Sequence, residues 1–116
     1  MSHYPEDYLG HIVLEADFIL RESQSLGKDD FLQNEILKRA IVRSLEIIGE
    51  ATKHLPDDFR QQYPQIPWKR MAGMRDKLIH DYMGVDYEVV WNVVTHQIPD
   101  LRQQLERLLQ DLAIKP

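Results

Sequence analysis

Apolar residues recur along this chain at intervals of three and four. From Pro5 to Leu26 they fall at Leu9, Ile12, Val13, Ala16, Ile19 and Leu20, a spacing that gathers them on one face of an amphipathic helix. Pro5 suits the first turn, where its missing N–H costs nothing, and Gly27 suits the position just past the end. A second helix is predicted to begin after Asp29 or Asp30, with Asp30 and Gln33 spaced as a capping box, and to run to about His54. Its expected inner face carries Leu32, Ile36, Ala40, Ile47, Ile48 and Ala51. Pro56 stops it.

Residues 57–67 read as a connector with one helical turn at Asp57–Gln62, after which Pro64 and Pro67 impose extended geometry on Gln65 and Ile66. A third helix is expected from Trp68 to about Tyr82, ended by Gly84. Asp86 is placed to cap a last helix that continues to about Leu112, with Pro99 kinking or dividing it. No period of two persists and no Asn-Gly or Asp-Gly pair occurs, so no hairpin is predicted. The expected fold is all-α, an antiparallel bundle of four main helices plus a short connector helix, in one domain over residues 1–116.

Composition narrows the class. A chain of 116 residues is the size of one domain with a real core. The absence of cysteine removes disulfides, thiolate metal sites and a cysteine nucleophile together. Residues 1–10 hold Glu6 and Asp7 and no Lys or Arg, unlike a secretory signal or a transit peptide. No apolar run approaches the roughly 20 residues of a membrane span. A cytoplasmic domain with no membrane contact is the expectation. Fourteen Lys and Arg against 19 Asp and Glu give a net charge of -5, which opposes broad adhesion to nucleic acid, and no DNA partner is expected. Within this acidic chain Lys69, Arg70, Arg75 and Lys77 face Asp76 alone, a basic island.

Several strong signatures are missing. The five glycines form no phosphate-binding loop. Glu50 and His54, like His11 and Glu15, stand four apart and read as surface pairs; carboxylate-bridged metal bundles use a spacing of three, twice. Neither a metal nor a cofactor is expected. Trp68 and Trp91 read as buried anchors, Met71 and Met74 as packing, and His3, His11, His54 and His96 as surface or cap residues.

The informative stretch runs from Arg75 through Asp76, Lys77, Leu78, Ile79, His80 and Asp81 to Tyr82. It sets a fixed cation, an imidazole that titrates near neutrality and a phenol beside the basic island. An arginine can hold a phosphate by two parallel hydrogen bonds, and a histidine can move protons at physiological pH. Those groups suffice to break RNA without a metal: a base takes the 2′-hydroxyl proton, an acid protonates the leaving 5′-oxygen, and a cation stabilises the charged transition state.

On a regular helix, at about 100° per residue, Arg75 and His80 lie about 140° apart while Arg75 and Tyr82 nearly share a stripe. Asp76 and His80 would be i,i+4 neighbours, the carboxylate orienting the imidazole. Arginine and histidine can converge if the helix loosens near His80, or if two copies face each other across a dimer axis; the second is the favoured arrangement. A surface ion pair for Arg75 and a helix-dipole role for His80 are the plainer alternatives.

Arg75, four residues, His80, one residue and Tyr82 resemble the Arg-x4-His-x-Tyr motif of HepT-like toxins, a branch of the HEPN superfamily. Flanking residues agree: Ser44 to Ala51 is similar to the family's second helix, Ile66-Pro67-Trp68 and Gly73-Met74 to its approach to the motif, and Val85-Asp86 and Val90-Trp91 to the stretch on the motif's C-terminal side. The likeness spans roughly residues 30–105. It implies an all-helical, two-fold dimeric, metal-independent endoribonuclease, the toxin of a type VII toxin–antitoxin pair, with RNA as substrate. Arg75 and His80 would be its catalytic residues. The implied partner is an MntA-like nucleotidyltransferase antitoxin that transfers AMP from ATP to Tyr82. Asp76, where relatives commonly carry Asn or another polar residue, would be a helper, and it adds negative charge beside the phosphate site. Glu46 and Glu50 on the second helix, with Lys77, are candidate cleft residues, the glutamates orienting Arg75. Two rival readings keep the fold and drop the chemistry: a non-catalytic helical partner of a nucleotidyltransferase, and a nucleotide-binding bundle.

Overall fold

A computed structural model describes residues 4–80 and 84–114, with the side chains of Ile79, His80 and Ile114 outside that description. Helices α1 (Pro5–Ser23) and α3 (Glu35–His54) are the two long members, packed side by side, and α8 (Ile98–Ile114) lies along α1. Between them run α2 (Lys28–Gln33), α4 (Asp57–Gln62), α5 (Trp68–Ala72), α6 (Met74–Leu78) and α7 (Tyr87–Asn92). The expected all-α class holds. Leu9, Ile12, Ala16 and Ile19 of α1 are fully buried against Ile41, Leu45 and Ile48 of α3. Ile98, Leu101, Leu105 and Leu108 close the same core from α8.

Local signals explain most boundaries. Pro5 occupies the first turn of α1. Asp86 caps α7, its carboxylate accepting from Glu88 N–H at 3.1 Å and Val89 N–H at 3.2 Å. The connector helix α4 lies where the sequence put it. Trp68 anchors the turn that comes next: its buried indole N–H donates to the carbonyls of Arg60 and Tyr63, both at 3.0 Å. Before Pro99 the helix widens into a π-turn at Val93–Gln97, with Ile98 N–H donating to Val93 C=O. Proline offers no N–H to the carbonyl four residues back, so the last helix is divided there.

Four expectations are corrected. First, α1 ends at Ser23, three residues short of Leu26. Second, the long second helix is two. Asn34 breaks it with extended backbone, and its side chain accepts from Leu37 N–H at 3.0 Å to cap α3; α2 starts at Lys28 with Gly27 as its N-cap and no side-chain cap, so the Asp30–Gln33 box does not form. Within α3 the buried face is that of Ile41, Leu45 and Ile48, and Ile36, about 140° around the axis from Ile41, is 85% exposed. Third, the helix expected to reach Tyr82 turns at Gly73 and ends at Leu78. Fourth, the chain then forms a two-residue antiparallel ladder, β1 (Ile79–His80) with β2 (Gly84–Val85), pairing Ile79 with Val85 and His80 with Gly84. Gly84 at φ 88° takes a conformation that costs other residues dearly, and Asp86 N–H donates to Leu78 C=O at 3.1 Å to close the reversal. Two residues per strand are too few to show a period of two.

Candidate active site

The site begins with a close helix approach. A Cβ at Gly49 of α3 would stand 3.1 Å from the backbone carbonyl oxygen of Met71, so glycine lets α5 lie directly on α3. Met71 and Met74 are buried beneath it, and Leu78 anchors the far end of α6. With both ends of this short helix fixed, Arg75, Asp76 and Lys77 are left exposed.

Arg75 is held over α3 by one carboxylate. Its Nε lies 3.8 Å from Glu46 Oε2, and Nη1 of Arg43 lies 3.9 Å from the same oxygen. The side chain of Glu46 is 29% exposed and that of Arg75 59%. Both separations exceed a hydrogen bond, so Glu46 attracts two guanidinium groups without consuming the donors of either. Asp76, its neighbour, has no part in this cluster among the described residues.

The other expected site residues divide. Glu46 meets Arg75; Glu50 instead pairs with His54 Nε2 at 3.3 Å and lines a groove of about 170 Å³ between α1 and α3, together with Tyr8, His11, Arg43 and His54. Tyr8 and His54 stack there with centroids 5.4 Å apart and planes at 12°. Lys77, like Lys69 and Arg70, is exposed with no carboxylate within ion-pair distance among the described residues. Since α6 stops at Leu78, the helical angle of 140° between Arg75 and His80 does not apply, nor does the stripe joining Arg75 to Tyr82 or the i,i+4 step from Asp76 to His80. The backbone of His80 sits in the ladder; its imidazole, and the whole of Tyr82, lie outside the described residues.

Sequence reasoning passed over Arg43. Its only signal was the three-residue step to Glu46 on one helix face. A wider depression of about 550 Å³ between α4 and α5 is lined by Arg60, Trp68 and Lys69 and includes no residue of the motif. Among the described residues no group of three or more His, Asp or Glu side chains is placed to hold a metal ion. No helix among them is long and apolar enough to cross a membrane.

An exposed arginine steadied by a buried-edge carboxylate, next to an abrupt helix end, is suited to binding a phosphate diester from solvent. Comparison with known proteins identifies the family. The family described as Ribonuclease HepT-like matches residues 12–108. "Putative RNase TTE0752" of Caldanaerobacter subterraneus subsp. tengcongensis is 47% identical over 106 residues, covering 91% of this chain and 95% of that protein. "Probable ribonuclease HepT" of Thermococcus cleftensis is 44% identical over 108 residues, covering 93% of this chain and 98% of that protein. "Putative RNase MJ0127" of Methanocaldococcus jannaschii is 48% identical over 105 residues, covering 90% of this chain and 87% of that protein. No solved structure matches significantly. With its motif in place and most of its length matched, the chain belongs to the HepT-like ribonuclease family.

Proposed function

We propose that this protein is a toxin that cuts RNA endonucleolytically without a metal or cofactor, with Arg75 and His80 as its catalytic residues. The observation that carries this reading is the end of α6 at Leu78, which releases His80 from the helical angle separating it from Arg75. Arg75 grips the scissile phosphate and stabilises the negative charge that grows on its oxygens. An imidazole of His80 accepts the 2′-hydroxyl proton as the 2′-oxygen bonds to phosphorus. The P–O5′ bond breaks, and an imidazolium delivers a proton to the departing 5′-oxygen. The products are a 2′,3′-cyclic phosphate and a 5′-hydroxyl. A two-fold dimer supplies the base and the acid from two copies of His80. Lys77 adds cationic field to the same edge, and Asp76 tunes it.

Control acts through the same motif. An MntA-like nucleotidyltransferase antitoxin transfers AMP from ATP to Tyr82, and the added phosphodiester competes with RNA for the cation of Arg75. The setting is the cytoplasm, in a type VII toxin–antitoxin pair.

The test is induced expression of the wild type, Arg75→Ala and His80→Ala with growth and RNA integrity followed, alongside cleavage by purified protein in excess chelator. Wild type alone should arrest growth and degrade RNA, with cyclic-phosphate ends, and chelator should change nothing. Equal harmlessness of all three soluble proteins makes the chain a binding partner. Cleavage abolished by chelator and restored by a divalent ion overturns metal independence.

A further inference from the structure

The site continues past Arg75 into the groove between α1 and α3. Arg43 of α3 and Arg75 of α6 both reach Glu46 Oε2, at 3.9 and 3.8 Å, so their guanidinium nitrogens are no further apart than those two contacts laid end to end. That bound is close to the spacing of neighbouring phosphates on a single RNA strand, so the two guanidinium groups are near enough to serve adjacent phosphates. Arg43 is mostly exposed and its distance to Glu46 is longer than a hydrogen bond, so its donors remain available to a phosphate. From there Arg43 forms one wall of the groove, whose far end is the stacked pair of Tyr8 and His54. Glu50, the acidic residue of that lining, is paired with His54. That carboxylate therefore lies toward the aromatic end, and the end nearest Arg75 carries the guanidinium groups of Arg43 and Arg75 around the one carboxylate of Glu46. A cation one phosphate away from Arg75, leading to an aromatic surface, is what a single-stranded nucleotide requires.

We propose that this groove binds the nucleotide next to the cleaved phosphate, with Arg43 holding the adjacent phosphate and Tyr8 offering the stacking surface for its base. The proposal rests on the reading of Arg75 as the ligand of the scissile phosphate. It makes Arg43 and Tyr8 binding residues that set which position along an RNA is presented for cleavage.

The test measures binding of a labelled single-stranded RNA of mixed sequence to full-length His80→Ala protein over a range of salt concentrations. Arg43→Gln should weaken binding about tenfold and flatten the salt dependence by about 0.7 in log–log slope, the loss of one phosphate contact on a single strand. Tyr8→Leu should weaken it at least about fivefold with the slope unchanged, while Tyr8→Phe retains affinity. Arg21→Gln, on the exposed end of α1 and remote from the groove, should bind as the parent does. Arg43→Gln that matches the parent while Arg75→Ala is weakened removes the subsite and leaves the reading of Arg75 standing. Binding that neither arginine variant weakens removes both. A loss at Arg43 that vanishes in a Glu46→Gln background makes Arg43 a positioning residue for Arg75 and overturns the proposal.

Discussion

Arg75 Nε stands 3.8 Å from Glu46 Oε2, and through this contact the exposed edge of α6 is fastened to the middle of α3. Glu46 carries a net attraction to two cations, Arg75 and Arg43. It therefore fixes where the guanidinium of Arg75 stands, which under the proposed function is where it meets the scissile phosphate. Because the charges are partly exposed, their contribution to stability is small, and the expected consequence of losing the carboxylate is kinetic.

Glu46→Gln should lower kcat for RNA cleavage roughly ten- to hundredfold through misplacement of Arg75, with a smaller change in KM. Stability should move by no more than about 0.5 kcal/mol. Steady-state kinetics beside urea denaturation separates these effects. An unchanged kcat would mean that Arg75 orients itself without help from α3.

Gly49 is the second point at which α3 positions the site. A methyl group there would press on the backbone carbonyl oxygen of Met71 at 3.1 Å, and backbone cannot swing aside as a side chain can. Gly49→Ala should cost about 1–3 kcal/mol of unfolding free energy, the range for overpacking, even though alanine is the better helix former. It should also lower activity, since α5 and α6 must move away from Glu46. A shift in the urea midpoint with constant slope is the expected signature. Greater stability than the wild type would refute the tight approach.

Gly84 closes the reversal after β1. Its φ is 88°, and a methyl group added at this position would meet none of the described residues within 4 Å, so the expected cost of substitution is conformational. Gly84→Ala should destabilise by about 1–2 kcal/mol, and Gly84→Asn by less because asparagine tolerates the left-handed region. Thermal unfolding of the two variants measures the difference. Equal losses would point to side-chain size in place of backbone conformation.

Acid should loosen the start of α3. The hydrogen bond from Lys38, and then its charge, hold the Glu35 carboxyl below its ordinary value of 4.5, with Lys38 Nζ at 2.9 Å from Glu35 Oε1. A carboxyl whose folded pKa is depressed adds stability above its unfolded value, and that stability is lost as pH falls through the folded one. The wild type should lose stability between pH 4.5 and more acidic values, and Glu35→Gln should show a flatter profile there. Identical profiles for the two proteins across that window would dissociate the ion pair from folding.

Much of this molecule is legible in its sequence. The apolar spacing of Leu9, Ile12, Ala16 and Ile19 defines a buried face because a helix returns to the same side every three or four residues. Asp86 caps a helix, and Pro99 divides one, for reasons carried within a few neighbouring residues. The order of Arg75, His80 and Tyr82 likewise carries the family resemblance, and the family match over residues 12–108 agrees with it. Misplaced boundaries cluster where two local preferences compete. Asn34 caps α3 in the middle of a stretch that could have stayed helical.

Tertiary structure decided the rest. Whether α6 persists to Tyr82 or stops at Leu78 depends on ladder bonds to Gly84 and Val85, which the chain gains only once Gly84 has turned back. The meeting of Arg43, Glu46 and Arg75 depends on α5 lying against Gly49, a contact between segments far apart in sequence. Local spacing fixes which face a side chain occupies on its own helix, whereas the partner on the next helix is fixed by how closely two backbones can approach.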